Sequence, residues 1–130
     1  MKLLVGLGNP GEKYAKNRHN VGFMFLDYVS RKLEGGIWKV DKKYEAEMCS
    51  IKIDRKEFML VKPQTFMNDS GRAVGKILSN NQFSITNKFS MSNDLFVIHD
   101  DLDIQLGQYK IQLGKGPQLH NGIESIEHHL

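Results

Sequence analysis

Three short segments of the 130-residue sequence concentrate residue types that can do chemistry. The first is His99-Asp100-Asp101-Leu102-Asp103, followed by His120-Asn121-Gly122. Clustered carboxylates and imidazoles suit a divalent cation. They equally suit an Asp that orients a His general base, and spacing alone leaves both open. The second is Arg18-His19-Asn20, just before a helical pattern. Its loop would return to the carboxyl edge of the first strand, where α/β sheets put their sites. The third is Gly6-Leu7-Gly8-Asn9-Pro10-Gly11, a formal G-x-G-x-x-G after a strand. A dinucleotide-binding turn needs an apolar helix behind it and an acidic residue at the end of a second strand. Residues 12–20 offer little apolar face, and Glu34, the nearest acidic candidate, precedes two glycines. Asn9-Pro10-Gly11 is better read as a tight turn that exposes the Asn9 amide.

These segments must be held by alternating strands and helices. Lys2–Leu7 has the pattern of a short buried strand. Val21, Met24, Phe25, Tyr28 and Val29 recur at helical spacing, with Asn20 where an N-cap would stand and Gly35-Gly36 as the stop. Tyr44–Ile53 and Glu57–Lys62 predict a hairpin turning around Asp54-Arg55-Lys56, with Pro63 ending its second strand. Ser70 can cap a helix that carries Val74, Ile77 and Leu78 on one face. The polar stretch 79–93 predicts a helix end running into a surface loop. Leu95–Ile98 predicts a central strand, Gln108–Leu113 another, and Asn121–Leu130 a helix. The expectation is one α/β domain over residues 1–130, a three-layer sandwich with a mixed, mostly parallel sheet and helices on both faces.

Composition narrows the function classes. Hydrophobic residues make up 40% and charged residues 25%, which fits a folded globular chain. The apolar runs are far short of the ~20 residues of a membrane span. The apolar opening ends at Asn9-Pro10 with no small-residue cleavage site after it, so no signal peptide and a cytoplasmic location are expected. One cysteine, Cys49, excludes an internal disulfide and a cysteine-rich zinc site. Residues 1–62 hold 13 Lys+Arg against 8 Asp+Glu, whereas 63–130 hold 5 against 7. A basic half suits a polyanionic partner such as nucleic acid, or is simply a solvated surface.

Taken together, four blocks resemble the bacterial-type peptidyl-tRNA hydrolases. They are Leu4-Val5-Gly6-Leu7-Gly8-Asn9-Pro10-Gly11 with Tyr14 and Arg18-His19-Asn20-Val21-Gly22; Lys62-Pro63-Gln64-Thr65-Phe66-Met67-Asn68-Asp69-Ser70-Gly71; His99-Asp100-Asp101-Leu102-Asp103 with Gly107; and His120-Asn121-Gly122. The resemblance implies a monomeric α/β hydrolase that cleaves the ester between a peptide, or an N-blocked amino acid, and tRNA. It implies no metal, no organic cofactor, no membrane and no stable protein partner. His19 would be the general base, an imidazole of a type that titrates near ~6.5, and Asp100 would orient it. Asn9, Asn68 and Asn121 would be amide clamps that hold the substrate without adding charge. Asn9 would help tell a blocked amide from a free ammonium. Tyr14, Phe66 and His120 would contact the substrate end, and Lys110 and Lys115 would contact tRNA phosphates.

The sequence departs from the family in three places. The loop before His120 is usually glycine-rich and carries another histidine, but here it is Gly114-Lys115-Gly116-Pro117-Gln118-Leu119. Gln112 stands where a second lysine is usual. Family members also continue past residue 130 with a further strand and helices, so the chain is expected to be a C-terminally truncated form lacking them. The alternative expectation is a non-catalytic tRNA- or RNA-binding relative, or an inactive fragment.

Overall fold

The computed structural model describes residues 2–11, 13, 20–33, 35–66, 69–78 and 95–100. Among the described residues, five strands form one sheet: β1 (Lys2–Gly6), β2 (Lys39–Asp41), β3 (Ala46–Ile53), β4 (Lys56–Pro63) and β5 (Leu95–Ile98). Two helices, α1 (Val21–Lys32) and α2 (Ser70–Leu78), complete the described elements. The strand order is β2-β3-β4-β1-β5. Strand β1 lies parallel to both β4 and β5, whereas β2-β3 and β3-β4 are antiparallel, so the sheet is mixed.

Leu3, Leu4 and Val5 form an unbroken apolar run because β1 is covered on both faces. Leu3 and Val5 join Leu7, Val61, Ala73, Val74 and Ile77 on the α2 face. Leu4 packs on the opposite face with Leu26, Cys49, Ile51 and Leu60, beneath α1. The hairpin forms where the sequence places it. Asp54 and Arg55 both take positive φ, 49° and 68°, as the two-residue turn of a right-twisted hairpin requires. Pro63 is the last residue of β4 because it brings no N–H to the ladder.

Three details differ from the sequence pattern. The short edge strand β2 was not anticipated. Helix α1 buries Gly22, Phe23, Leu26 and Ser30, and leaves Val21, Met24, Phe25 and Tyr28 exposed. Asn20 makes no side-chain cap bond to α1, because its amide is engaged elsewhere. The expected strand at Gln108–Leu113, the helix at Asn121–Leu130 and the polar stretch 79–93 lie outside the described residues. Among the described residues, no helix is long and apolar enough to cross a membrane.

Candidate active site

Parallel strands deliver the residues that follow them to one edge of a sheet. Here β4, β1 and β5 run side by side in the same direction. Phe66 follows β4, Asn9 follows β1 and Asp100 follows β5. All three therefore stand past the carboxyl ends of adjacent strands. The β1-β5 ladder extends one step beyond the strands, with the Leu7 N–H donating to the Ile98 carbonyl at 2.9 Å. Asn9 and Asp100 each lie two residues past that bond.

The start of α1 closes this edge from one side. A Cβ on Gly22 would lie 2.4 Å from the Leu7 nitrogen and 2.5 Å from the Ile98 carbonyl oxygen. Glycine in a helix interior costs roughly 0.5–1 kcal/mol relative to alanine, and here it is what lets the helix touch the ends of two strands. Gly8 serves the same joint, since a Cβ there would meet the Phe23 ring at 2.8 Å. The glycines of the opening motif thus have a packing explanation.

Asn20 completes the joint. Its Oδ1 accepts the Asn9 N–H at 2.8 Å, and its Nδ2 donates to the Asn9 carbonyl at 2.9 Å. It is only 2% exposed. Sequence reasoning assigned Asn20 a local capping role and missed this one. The available signal was Gly22 in the first turn of a helix, which marks a close backbone approach.

Asp100 is 6% exposed, and its carbonyl oxygen lies 2.6 Å from His99 Nδ1. Phe66 is 54% exposed and holds a positive φ of 64°. Non-glycine residues rarely adopt that conformation, and it costs on the order of 1–3 kcal/mol. The Asp69 N–H donates to the Phe66 carbonyl at 3.1 Å, and the Gln64 N–H donates to the Glu45 carbonyl at 2.7 Å, which tethers both flanks of the loop. Glu45 is itself held by α2: Arg72 donates to it twice, at 2.8 and 2.9 Å, and Lys76 once at 2.6 Å. The Lys76 and Arg72 hydrogen bonds hold the Glu45 carboxyl below the usual carboxylate range.

Behind the edge lies a second polar joint. Lys62 is 7% exposed, and its Nζ contacts Asp27 Oδ1 of α1 at 2.5 Å. The same ammonium lies 4.0 Å from the centroid of the Trp38 ring. Trp38 Nε1 donates to Ser30 Oγ at 3.1 Å, and that hydroxyl donates to the Asp27 carbonyl at 3.0 Å. Burial pushes the nearby Cys49 thiol up in pKa, with partial relief from the Lys62 charge.

Of the expected set, Asn9, Phe66 and Asp100 are described, each following one of three adjacent parallel strands. Tyr14, His19, Asn68, Lys110, Lys115, His120 and Asn121 lie outside the described residues.

Residues 3–130 match the sequence profile of the family described as peptidyl-tRNA hydrolase. The chain is 42% identical over 130 residues to the peptidyl-tRNA hydrolase of Ruegeria pomeroyi, covering all of this chain and 51% of the relative. It is 45% identical over 129 residues to that of Latilactobacillus sakei, covering 99% of this chain and 68% of the relative. The crystal structure of peptidyl-tRNA hydrolase from Acinetobacter baumannii superposes with a TM-score of 0.87 at 32% identity, covering 99% of this chain and 62% of that one. The chain spans about half the length of the curated Ruegeria pomeroyi and Brucella suis relatives it matches. With the profile matched from residue 3 to residue 130, and the same fold in a solved relative, this chain belongs to the peptidyl-tRNA hydrolase family.

Proposed function

We propose that the carboxyl edge of β4, β1 and β5 hydrolyses the ester linking a peptide, or an N-blocked amino acid, to tRNA. The observation that carries this reading is the family match over residues 3–130. The shared edge that presents Asn9, Phe66 and Asp100 supports it. In this reading His19 takes a proton from water as the water attacks the ester carbonyl. It returns that proton to the departing ribose oxygen, so tRNA and a free carboxylic acid leave. Asp100 accepts a hydrogen bond from the other ring nitrogen, which fixes the tautomer and favours the imidazolium. Such a base is worth roughly 10²–10⁴-fold in rate. A buried acidic residue just past the end of β5 is suited to that orienting role.

Asn9, Asn68 and Asn121 hold the peptide and ester groups. The carboxamide of Asn9 can donate to and accept from an amide, whereas a free ammonium offers donors only and can engage its oxygen alone. Tyr14, Phe66 and His120 contact the substrate end, and the exposed ring of Phe66 is a surface on which an unpaired base can stack. Lys110 and Lys115 bind tRNA phosphates, which gives affinity without sequence readout. The reading treats residues 1–130 as one domain acting as a cytoplasmic monomer, with peptidyl-tRNA as its partner and no cofactor.

The test is release of N-acetyl-amino acid from N-acetyl-aminoacyl-tRNA by this chain, beside His19→Ala. Release by the parent and a loss of at least about 10²-fold in the variant support the reading. Cleavage that persists in His19→Ala contradicts it. The Gly114–Leu119 loop favours one second reading, a tRNA-binding relative without turnover, because Pro117 fixes the backbone and removes a donor there. Salt-dependent tRNA binding with no cleavage by the folded parent would select that reading.

A further inference from the structure

We propose that Asn20 is a positioning residue for ester hydrolysis, its buried amide fixing the backbone from which Asn9 presents its own carboxamide to the substrate. This inference rests on the hydrolase reading above. It comes from an unusual use of a residue at the start of a helix. An Asn in that place ordinarily spends its side-chain oxygen on the first-turn N–H groups. Asn20 makes no such bond. Both ends of its amide are instead turned onto one residue eleven positions earlier, accepting from the Asn9 N–H and donating to the Asn9 carbonyl. That pairing uses one donor and one acceptor against their complements. Among side chains of this length, only an amide or a protonated carboxyl can supply it.

The surroundings leave little room for an alternative. Asn20 is shielded from water, so no solvent replaces a lost bond cheaply. A Cβ on Gly8 would come within 3.0 Å of Asn20 Oδ1, so the chain entering Asn9 runs directly against the amide. On the other side, Gly22 seats the helix on Leu7 and on the Ile98 carbonyl, two residues before Asp100. One joint therefore ties together the strand ends that lead to Asn9 and to Asp100. Asn20 is also joined by a single peptide bond to His19. A buried residue thus sits where it sets the relative placement of those that would act on substrate. Misplacement of a reacting group by about 1 Å costs on the order of 10²-fold in rate.

The experiment measures kcat and KM on N-acetyl-aminoacyl-tRNA for the parent chain, Asn20→Ala, Asn9→Ala and the double variant. Near-ultraviolet circular dichroism is recorded for each. Asn20→Ala is expected to lower kcat by about 10–10²-fold with KM for the tRNA held within about twofold, because phosphate contacts are untouched. If Asn20 acts through Asn9, adding Asn20→Ala to Asn9→Ala costs less than about threefold more. Parent-like kcat in Asn20→Ala, or losses that multiply in the double variant, would overturn the proposal. Asn20→Asp decides the matter if the alanine variant unfolds. Its protonated carboxyl reproduces both bonds, whereas its carboxylate cannot donate to the Asn9 carbonyl. The rate of Asn20→Asp relative to the parent should therefore climb as pH falls from about 8 to about 5.5, since burial raises the pKa of a carboxyl. A flat ratio contradicts the proposal. A parent chain with no cleavage at all overturns the hydrolase reading and this inference with it. An active parent indifferent to Asn20 overturns this inference alone.

Discussion

The two faces of the sheet are held in different ways. On the α2 face the contact is apolar: Leu3, Val5, Leu7, Val61, Ala73, Val74 and Ile77 are all fully buried. The ion pairs of Arg72 and Lys76 with Glu45 lie at the surface. On the α1 face the apolar cluster of fully buried residues is smaller, and directional bonds cross it. Asn20 grips Asn9, Lys62 grips Asp27, Trp38 grips Ser30, and the Cys49 thiol donates to the Gly36 carbonyl at 3.0 Å. Apolar burial is non-directional and sets how much free energy holds a helix down. Buried polar bonds add less net energy, but an unmade one costs more than a made one gains. The α2 face thus supplies stability, and the α1 face fixes where the strand ends and helix start meet at the candidate site.

The largest expected effect breaks the α2 face. Ile77→Ala should cost about 2–5 kcal/mol of unfolding free energy, through lost burial and a cavity. Measured by urea unfolding, it should leave kcat of the folded fraction near that of the parent. A smaller stability loss belongs to the α1 face. Asp27→Ala strands the Lys62 ammonium against the Trp38 ring and should cost about 1–3 kcal/mol. The figure falls below the ~3–5 kcal/mol of a fully buried pair, because the Asp27 side chain is 44% exposed. Unlike Ile77→Ala, it should also lower kcat in the folded protein, because it loosens the helix that carries Asn20.

Cys49 is buried on the α1 face and its thiol is pushed up in pKa. Labelling by a maleimide at neutral pH should be slow in the native parent. It should accelerate in Asp27→Ala and remain slow in Glu45→Gln. The smallest effect is at Glu45. Its folded pKa lies below the ordinary value of 4.5, so protonation favours the unfolded state. The contribution is present above about pH 4.5 and is lost as pH falls through the lower folded value. Acid unfolding of Glu45→Gln beside the parent should show a slightly shallower loss over that window, and added salt should shrink the difference.

The elements that carry strong local patterns were legible in the sequence. Leu95–Ile98 and the Asp54-Arg55 turn are found where the apolar run and the turn chemistry place them. Strand β2 was not legible, because its three residues bury little and Val40 is 67% exposed, so no alternation marks it. The helix of Val21, Met24, Phe25 and Tyr28 was legible, but its buried face was not. Periodicity reports a stripe without saying which neighbour covers it. Asn20 shows the limit most clearly. A short polar residue before a helix has a local partner by default, and only the folded chain brings Asn9 back to compete for it. Asn9, Phe66 and Asp100 could be named beforehand because they belong to motifs, whereas the joint behind them is built from residues distant in sequence.

Asp100→Asn asks whether the carboxylate past β5 drives hydrolysis. The substitution keeps the size of a buried side chain and removes the carboxylate that would orient His19. Cleavage of N-acetyl-aminoacyl-tRNA is expected to fall by at least about 10²-fold while the cooperative melt is retained. Cleavage at the parent rate by a folded Asp100→Asn chain would contradict it.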